Sequence, residues 1–214
     1  RFSSPTIDAG SPIADQALPA SYMNLLANPS FESGTTSWSG NLGGATASGN
    51  PVAFLGTNYF YAGVVASGFA EQTVNLLASG FTSTQLDSEN FAVVFGGRTR
   101  TVDDKAEVWL TFLDGSSQPI GPTNVVASTN PTDRWELLGD RRQMPTGTRS
   151  LRLHFQTTRL NGATNDSYFD AAFLYVLPET VAPNLGTFGN TYVESSEPAQ
   201  AHAALRFPDL YTDW

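Results

Sequence analysis

The stretch Asn165–Asp166–Ser167–Tyr168–Phe169–Asp170–Ala171–Ala172–Phe173–Leu174–Tyr175–Val176 mixes apolar strand formers with carboxylates and a turn-forming start. An earlier stretch, Asn24–Leu25–Leu26–Ala27–Asn28–Pro29–Ser30–Phe31–Glu32–Ser33–Gly34, has the same character. Strand-like runs fill the chain between them. The two stretches therefore read as the first and last strands of one β-sandwich, lying side by side. That arrangement brings Glu32 close to Asp170. Two carboxylates held together repel unless positive charge sits between them. Calcium is the natural candidate, because it takes oxygens from side chains and from backbone carbonyls.

The central runs alternate with a period of two, the signal of strands with one buried face. Val108, Leu110 and Phe112 alternate with Trp109, Thr111 and Leu113. Leu151, Leu153 and Phe155 alternate with Arg152, His154 and Gln156. Phe91, Val93 and Phe95 alternate with Ala92, Val94 and Gly96. Further strands are expected at 51–55, 59–65, 69–76, 119–127, 134–142 and 168–177, with turns at Ser79–Gly80, Asp114–Gly115, Asn130–Pro131 and Asn161–Gly162. No amphipathic helix longer than two turns is expected. Short strands at this spacing specify an all-β sandwich or jelly roll.

Composition narrows the function classes. The net charge is −9, which excludes the phosphate neutralisation that nucleic-acid binding rests on and argues against anionic membrane surfaces. Cysteine is absent, so disulfides, thiolate zinc sites and cysteine catalysis are excluded. No apolar run approaches the roughly 20 residues of a membrane span. Charged residues are only 14% of the chain, and Ser, Thr, Asn and Gly are abundant, which fits a secreted or cell-surface β protein. The chain begins at Arg1 without a starting Met or a signal sequence and reads as a processed piece of something longer. It carries no Gly-x-Ser-x-Gly elbow, His-Glu-x-x-His helix or phosphate loop. The reading is therefore non-enzymatic.

Four phrases carry a family resemblance: the opening stretch with Trp38; Gly96–Gly97–Arg98 followed by residues 103–115 and Pro119–Ile120–Gly121; residues 144–153; and Arg159–Leu160–Asn161–Gly162 leading into the closing stretch. Together they resemble the jelly-roll carbohydrate-binding modules of the galactose-binding-like superfamily over residues 24–178. The resemblance implies a structural calcium near the first and last strands, with Glu32, the Gly34 carbonyl and Asp170 at the matching positions. Ala171 departs from the pattern, since Asn or Asp usually follows the last Asp. The flanks, 1–23 with Ser4–Pro5–Thr6–Ile7–Asp8–Ala9–Gly10–Ser11–Pro12 and 179–214 with Asn184–Leu185–Gly186–Thr187–Phe188–Gly189–Asn190–Thr191, resemble the closing portion of bacterial secreted parallel β-helix proteins. The sandwich then reads as a module inserted into the end of a β-helix, accessory to a parent such as a polysaccharide lyase. Three aromatics in the last eight residues, Phe207, Tyr211 and Trp214, mark a tail that docks on something.

Each candidate site has a plainer rival. Glu32 is either a calcium ligand or a carboxylate bonded to backbone at a strand end. Asp170 is either a ligand or a partner of Arg159. Asp166 is either a further ligand or the cap of an Asx turn. Asp103–Asp104 reads as a solvated turn. With the strands at 91–97, 106–113 and 150–157 in one sheet, Ala92, Val94, Trp109, Thr111, Arg152, His154 and Gln156 share its outward face. Tyr59 and Tyr61 extend it. A flat indole among small and polar residues stacks on sugar C–H faces while its neighbours bind hydroxyls; the rival is a Trp109 covered by the flanks. The expectation is a calcium-stabilised polysaccharide- or cell-surface-glycan-binding module. The alternative is a structural or assembly domain of a surface layer, fibre or adhesin.

Overall fold

The period of two becomes two faces in space. A computed structural model of the chain describes residues 23–41, 44–45, 51–88, 90–128 and 133–178. Its elements are β1 (Gly44–Ala45), β2 (Phe60–Gly63), β3 (Ser67–Asn75), α1 (Ser83–Ser88), β4 (Phe91–Thr101), β5 (Lys105–Leu113), β6 (Asn124–Ala127), β7 (Glu136–Gln143), β8 (Ser150–Thr158) and β9 (Asn165–Pro178). Along β8, Leu151, Leu153 and Phe155 are wholly buried, while Arg152, His154 and Gln156 stand half-buried on the opposite side. β5 repeats the pattern with Ala106, Val108, Leu110 and Phe112 inward.

These strands form two antiparallel sheets, one ordered β1-β2-β9-β4-β7 and the other β3-β8-β5-β6. Their inner faces meet in a single apolar core. The expected all-β sandwich is the observed fold. The flanks expected at 1–23 and 179–214 lie outside the described residues apart from Met23.

A closed circuit of rings ties the core together. Phe31 stacks on Trp38 at 4.9 Å between centroids, and Trp38 on Phe155 at 5.6 Å. Phe155 stacks on Phe169 at 4.4 Å across the two sheets. Phe169 meets Phe60 at 6.2 Å, and Phe60 returns to Phe31 at 5.9 Å. Gly97 makes room for the Phe155 ring: a Cβ there would lie 2.9 Å from its Cζ.

Four expectations about elements are corrected. Residues 24–34 run beside β9 but are not a strand. Leu25 N–H donates to Leu174 O (2.9 Å) and Ala172 N–H to Pro29 O (2.8 Å), while the Asn24 side chain supplies the contacts between, to Ala172 O and Leu174 N. Asn28 and Phe31 have positive φ. The Asn28 side chain closes the following turn by bonding Gly34 O, Thr36 O and Ser33 N. That local bonding competes with ladder formation. Residues 51–55 form a loop, not a strand, and 119–127 is a strand only over β6. The strand at 91–97 belongs to β4 in the five-stranded sheet, not with β5 and β8. It is apolar on both sides, so no polar face marked its orientation.

Phe155→Ala removes the ring that touches both Trp38 and Phe169. Urea unfolding should show a loss of about 3–5 kcal/mol, against about 0.5 kcal/mol or less for the strand-end control Thr158→Ala. A loss no larger than the control's would mean that the circuit does not hold the core.

Candidate functional site

The outer face of the four-stranded sheet gathers the sequence-expected cluster. Register places Glu71, His154, Trp109 and Val125 in one row across β3, β8, β5 and β6. Thr73, Arg152 and Thr111 form the row on one side, and Phe69, Gln156 and Glu107 the row on the other. The imidazole of His154 lies between two rings. It stacks on Phe69 at 4.9 Å and 12°, and on Trp109 at 4.6 Å and 14°. Those spacings match the separation of neighbouring strands. The rings therefore stand on edge, side by side, one per strand.

Hydrogen bonds fix this rack. His154 Nδ1 is 3.0 Å from Glu71 Oε2, and Nε2 is 3.2 Å from Gln156 Oε1. The Gln156 amide is oriented by its nitrogen, which donates to Ser67 Oγ, Gly68 O and Thr157 O. Both ring nitrogens thus face side-chain oxygens. One face of the Trp109 indole is taken by His154. The other turns toward β6, whose Val125 is 48% exposed. The indole N–H is buried and has no partner. Arg152 Nε donates to Thr73 Oγ1 at 3.4 Å, and the hydroxyls of Thr111 and Thr123 lie 3.1 Å apart.

Trp109, Thr111, Arg152, His154 and Gln156 are therefore together, and Trp109 is half-buried rather than covered. Ala92 and Val94 are not with them: both lie in the other sheet and are wholly buried. Tyr59 and Tyr61 do not extend the face either. They sit on the far side of the molecule, where Tyr59 packs edge-on against Tyr61, Trp135 and Tyr168. Phe69, Glu71 and Glu107 belong to the face and were not anticipated. The alternation of Phe69, Glu71 and Thr73 about buried Ala70 and Gln72 was the signal for the first two.

A second constellation forms where Glu32 and Asp170 meet the loop of residues 54–58. Glu32 Oε1 accepts the N–H groups of Thr57 (2.9 Å) and Asn58 (2.7 Å), and Oε2 accepts the Thr57 hydroxyl (3.0 Å). Gly56 sits against this carboxylate with φ of 73°, and a Cβ there would lie 2.4 Å from Glu32 Cδ. Asp170 accepts Leu55 N–H at 2.8 Å and its neighbour Ala171 N–H at 2.6 Å. Ala171 has positive φ and lies where the pairing of β9 with β4 shifts register. Such a bulge re-aims side chains.

Asp170 is wholly buried. Burial pushes its carboxyl up to about 8, the backbone N–H groups of Leu55, Ala171 and Phe54 oppose the rise, and the charge of Glu32 adds to it. Burial acts the same way on Glu32, but the donors of Asn58 and Thr57 outweigh it and hold that carboxyl below its ordinary value. Among the described residues neither carboxylate forms an ion pair. A buried carboxylate raised by burial and by a second carboxylate is a site that a hard cation would relieve. Each of the four carboxylate oxygens already accepts a hydrogen bond, so a cation here would share them with N–H and hydroxyl donors.

The remaining candidates fall into place around it. The Gly34 carbonyl, two residues beyond Glu32, accepts Asn28 Nδ2 at 2.9 Å. Asp166 does not join. It lies four residues up β9, roughly 13 Å along a strand, and its Oδ1 takes the Tyr168 hydroxyl. Arg159 donates to Ala163 O rather than to Asp170. Asp104 is not a solvated turn residue: it is 6% exposed and accepts the N–H groups of Leu160, Asn161 and Asp166. Among the described residues no three His, Asp or Glu side chains converge on one point. A cation at Glu32 and Asp170 would therefore complete its shell with carbonyls and water.

No protein-family model and no curated protein sequence matches this chain. Solved structures do match in fold. The enzymatically active domain of tailspike protein 4 from bacteriophage CBA120 superposes with a TM-score of 0.55 at 13% identity, over 73% of this chain and 22% of that one. A family 16 carbohydrate-binding module gives 0.50 at 17% identity, over 71% and 99%. A family 61 module solved with β-1,4-galactotriose gives 0.47 at 20% identity, over 73% and 99%. This chain thus spans about a fifth of the tailspike domain and nearly the full length of the two modules. At these identities the likeness is one of fold, and that fold is the β-sandwich found in carbohydrate-binding modules.

Proposed function

We propose that this chain is a non-catalytic polysaccharide-binding module of a larger secreted protein, with calcium joining its first and last segments. The observation that carries the first part is the ring rack on the four-stranded sheet. Phe69, His154 and Trp109 span three strands, and polar groups of Glu71, Gln156, Arg152 and Thr111 lie in and beside their row. A chain of sugars presents alternating apolar C–H faces and hydroxyls, and this surface offers both partners. The sandwich fold shared with the family 16 module supports the reading. The non-catalytic part rests on the carboxylates of the face. Glu71 is bonded to His154, and Glu107 pairs with Lys105 at 2.7 Å. Both carboxylates of the face are thus engaged by other side chains.

A polysaccharide array on the intact protein tests the first part. Trp109→Ala should weaken binding about tenfold or more, about 1.4 kcal/mol. Tyr61→Ala, on the opposite sheet, should leave it unchanged. Equal binding by the Trp109 variant would remove the face from the proposal. A chain that binds no glycan but self-associates would favour the assembly reading.

Thermal unfolding with and without chelator tests the second part. Without metal, folded Asp170 holds a proton up to about pH 8, whereas the unfolded chain releases it near its ordinary value. The folded state then binds more protons across that window, so stability falls as pH rises from about 4 through 8. Calcium replaces the proton, so its stabilisation should grow over the same range. Asp170→Asn should abolish both the slope and the response. A melting temperature indifferent to calcium at pH 8 would leave Asp170 as a protonated hydrogen-bonding group and end the calcium reading.

A further inference from the structure

β8 ends at Thr158 and β9 begins at Asn165, and the loop between them is fastened on both sides. Asp104 Oδ1 accepts the N–H groups of Leu160 (2.7 Å) and Asn161 (3.2 Å), and Oδ2 accepts that of Asp166 (2.6 Å). Arg159 Nη1 donates to Ala163 O at 2.6 Å. Between these fastenings Asn161 and Gly162 are exposed.

Of all the asparagines in the chain, only Asn161 is followed by glycine. Asn28, Asn50 and Asn130 precede proline, which has no N–H, and the others precede residues with a side chain. A backbone nitrogen reaches the amide carbon of the preceding asparagine most freely when no Cβ crowds the approach, and glycine alone lacks one. The geometry at this position favours that approach. Gly162 N–H donates to Asn161 Oδ1 at 2.9 Å. Cγ stands one C=O bond of about 1.23 Å behind that oxygen, so the nitrogen lies within roughly 4 Å of it. Gly162 has φ of 66°, and nothing stands within 4 Å of where its Cβ would be. No described residue bonds Asn161 Nδ2. Asn165, by contrast, is wholly buried, and its Nδ2 donates to Thr157 Oγ1 at 2.8 Å.

We infer that Asn161 is a site of spontaneous covalent modification, where the Gly162 nitrogen closes a succinimide ring on the Asn161 side chain and water reopens it. The nitrogen gives its proton to solvent base and bonds Cγ. The Cγ–Nδ2 bond breaks, and Nδ2 takes a proton from solvent and leaves as ammonia. Water then adds at either ring carbonyl. Opening at Cγ leaves aspartate. Opening at the main-chain carbonyl leaves isoaspartate, whose main chain runs through Cβ and Cγ and is one atom longer. Both products place a new carboxylate beside Asp104, which holds the N–H of this same residue, and like charges brought close repel. The longer main chain also no longer offers the N–H groups of Leu160, Asn161 and Asp166 to one side chain together. Modification therefore loosens the link between β8 and β9. The inference is independent of the sugar and calcium readings, which use none of these residues.

The full natural chain, incubated in heavy-oxygen water and mapped by peptide mass, tests it. Residue 161 should lose its amide and gain a carboxyl carrying heavy oxygen, several-fold faster than the exposed Asn75, which precedes Leu76. The rate should rise with pH, because the attacking nitrogen must first lose its proton. Conversion in the folded chain should stay within a few-fold of that in urea. Folding that slows it by more than an order of magnitude overturns the inference, since the loop would then hold the amide away from the nitrogen. Asn161→Gln, which must close a larger ring, should stop the uptake, and uptake that persists there overturns it equally. In the modified fraction, separated by its added charge, the amides of Leu160 and Asp166 should exchange with solvent several-fold faster than in fresh protein. Equal exchange would overturn the loosening.

Discussion

The circuit of five rings running Phe31, Trp38, Phe155, Phe169 and Phe60 is the constraint from which the rest follows. It joins the opening segment, β2, β8 and β9 with large buried surfaces, where each ring is held on two sides. Large aromatic side chains dominate core energetics, so these five positions fix the relative placement of segments distant in sequence. Phe31 is held in the left-handed region while fully buried. Such a conformation costs of order 1–3 kcal/mol. The packing of its ring on Trp38 and Phe60 is what offsets that cost.

Three of the proposed functional groups are chain neighbours of rings in the circuit. Glu32 follows Phe31, and Asp170 follows Phe169. His154 precedes Phe155. Because one residue points in, the next points out or into the adjoining loop. Packing the rings thus delivers both carboxylates to the loop at 54–58 and presents His154 on the outer face between Phe69 and Trp109. Phe155 and Phe169, whose centroids are 4.4 Å apart, lie between the two candidate sites.

What the sequence revealed and what it hid follow one physical rule. Residues 151–156 alternate apolar and polar, so both their faces could be assigned, and Arg152, His154 and Gln156 fell on the outside together. Residues 91–97 are apolar on both sides. With no polar face to orient them, Ala92 and Val94 were placed on the wrong sheet. Tyr59 and Tyr61 do share a face, as a spacing of two requires, but which sheet carries them depends on non-local pairing that no local pattern encodes. Asp104 looked solvated because its partners, Leu160, Asn161 and Asp166, arrive from far along the chain. The opening stretch has strand-like residues, yet Asn28 bonds its own neighbourhood and ends the ladder before it forms. The loop of residues 54–58 that bonds both Glu32 and Asp170 was not legible, because residues 51–55 read as a strand. Nor was the exclusion of Asp166, since it depends on distance along β9.

The two outer faces divide the work of the sandwich. On the four-stranded sheet, β3, β8 and most of β5 alternate, and the outward set includes groups that bond or stack with one another while keeping some exposure. On the five-stranded sheet, β4 and β9 are apolar on both sides over residues 91–95 and 173–177, and a sheet of that kind is stable only with something on each side. An isolated sandwich with both outer faces open would leave Val94, Tyr175 and Leu177 in water, at a cost of roughly 1.5–3 kcal/mol for each large apolar side chain. That cost favours placing the proposed ligand surface on the sheet of β3, β8, β5 and β6. It is the sheet whose outward residues are polar enough to stay wet, and so the one whose surface remains free for a ligand.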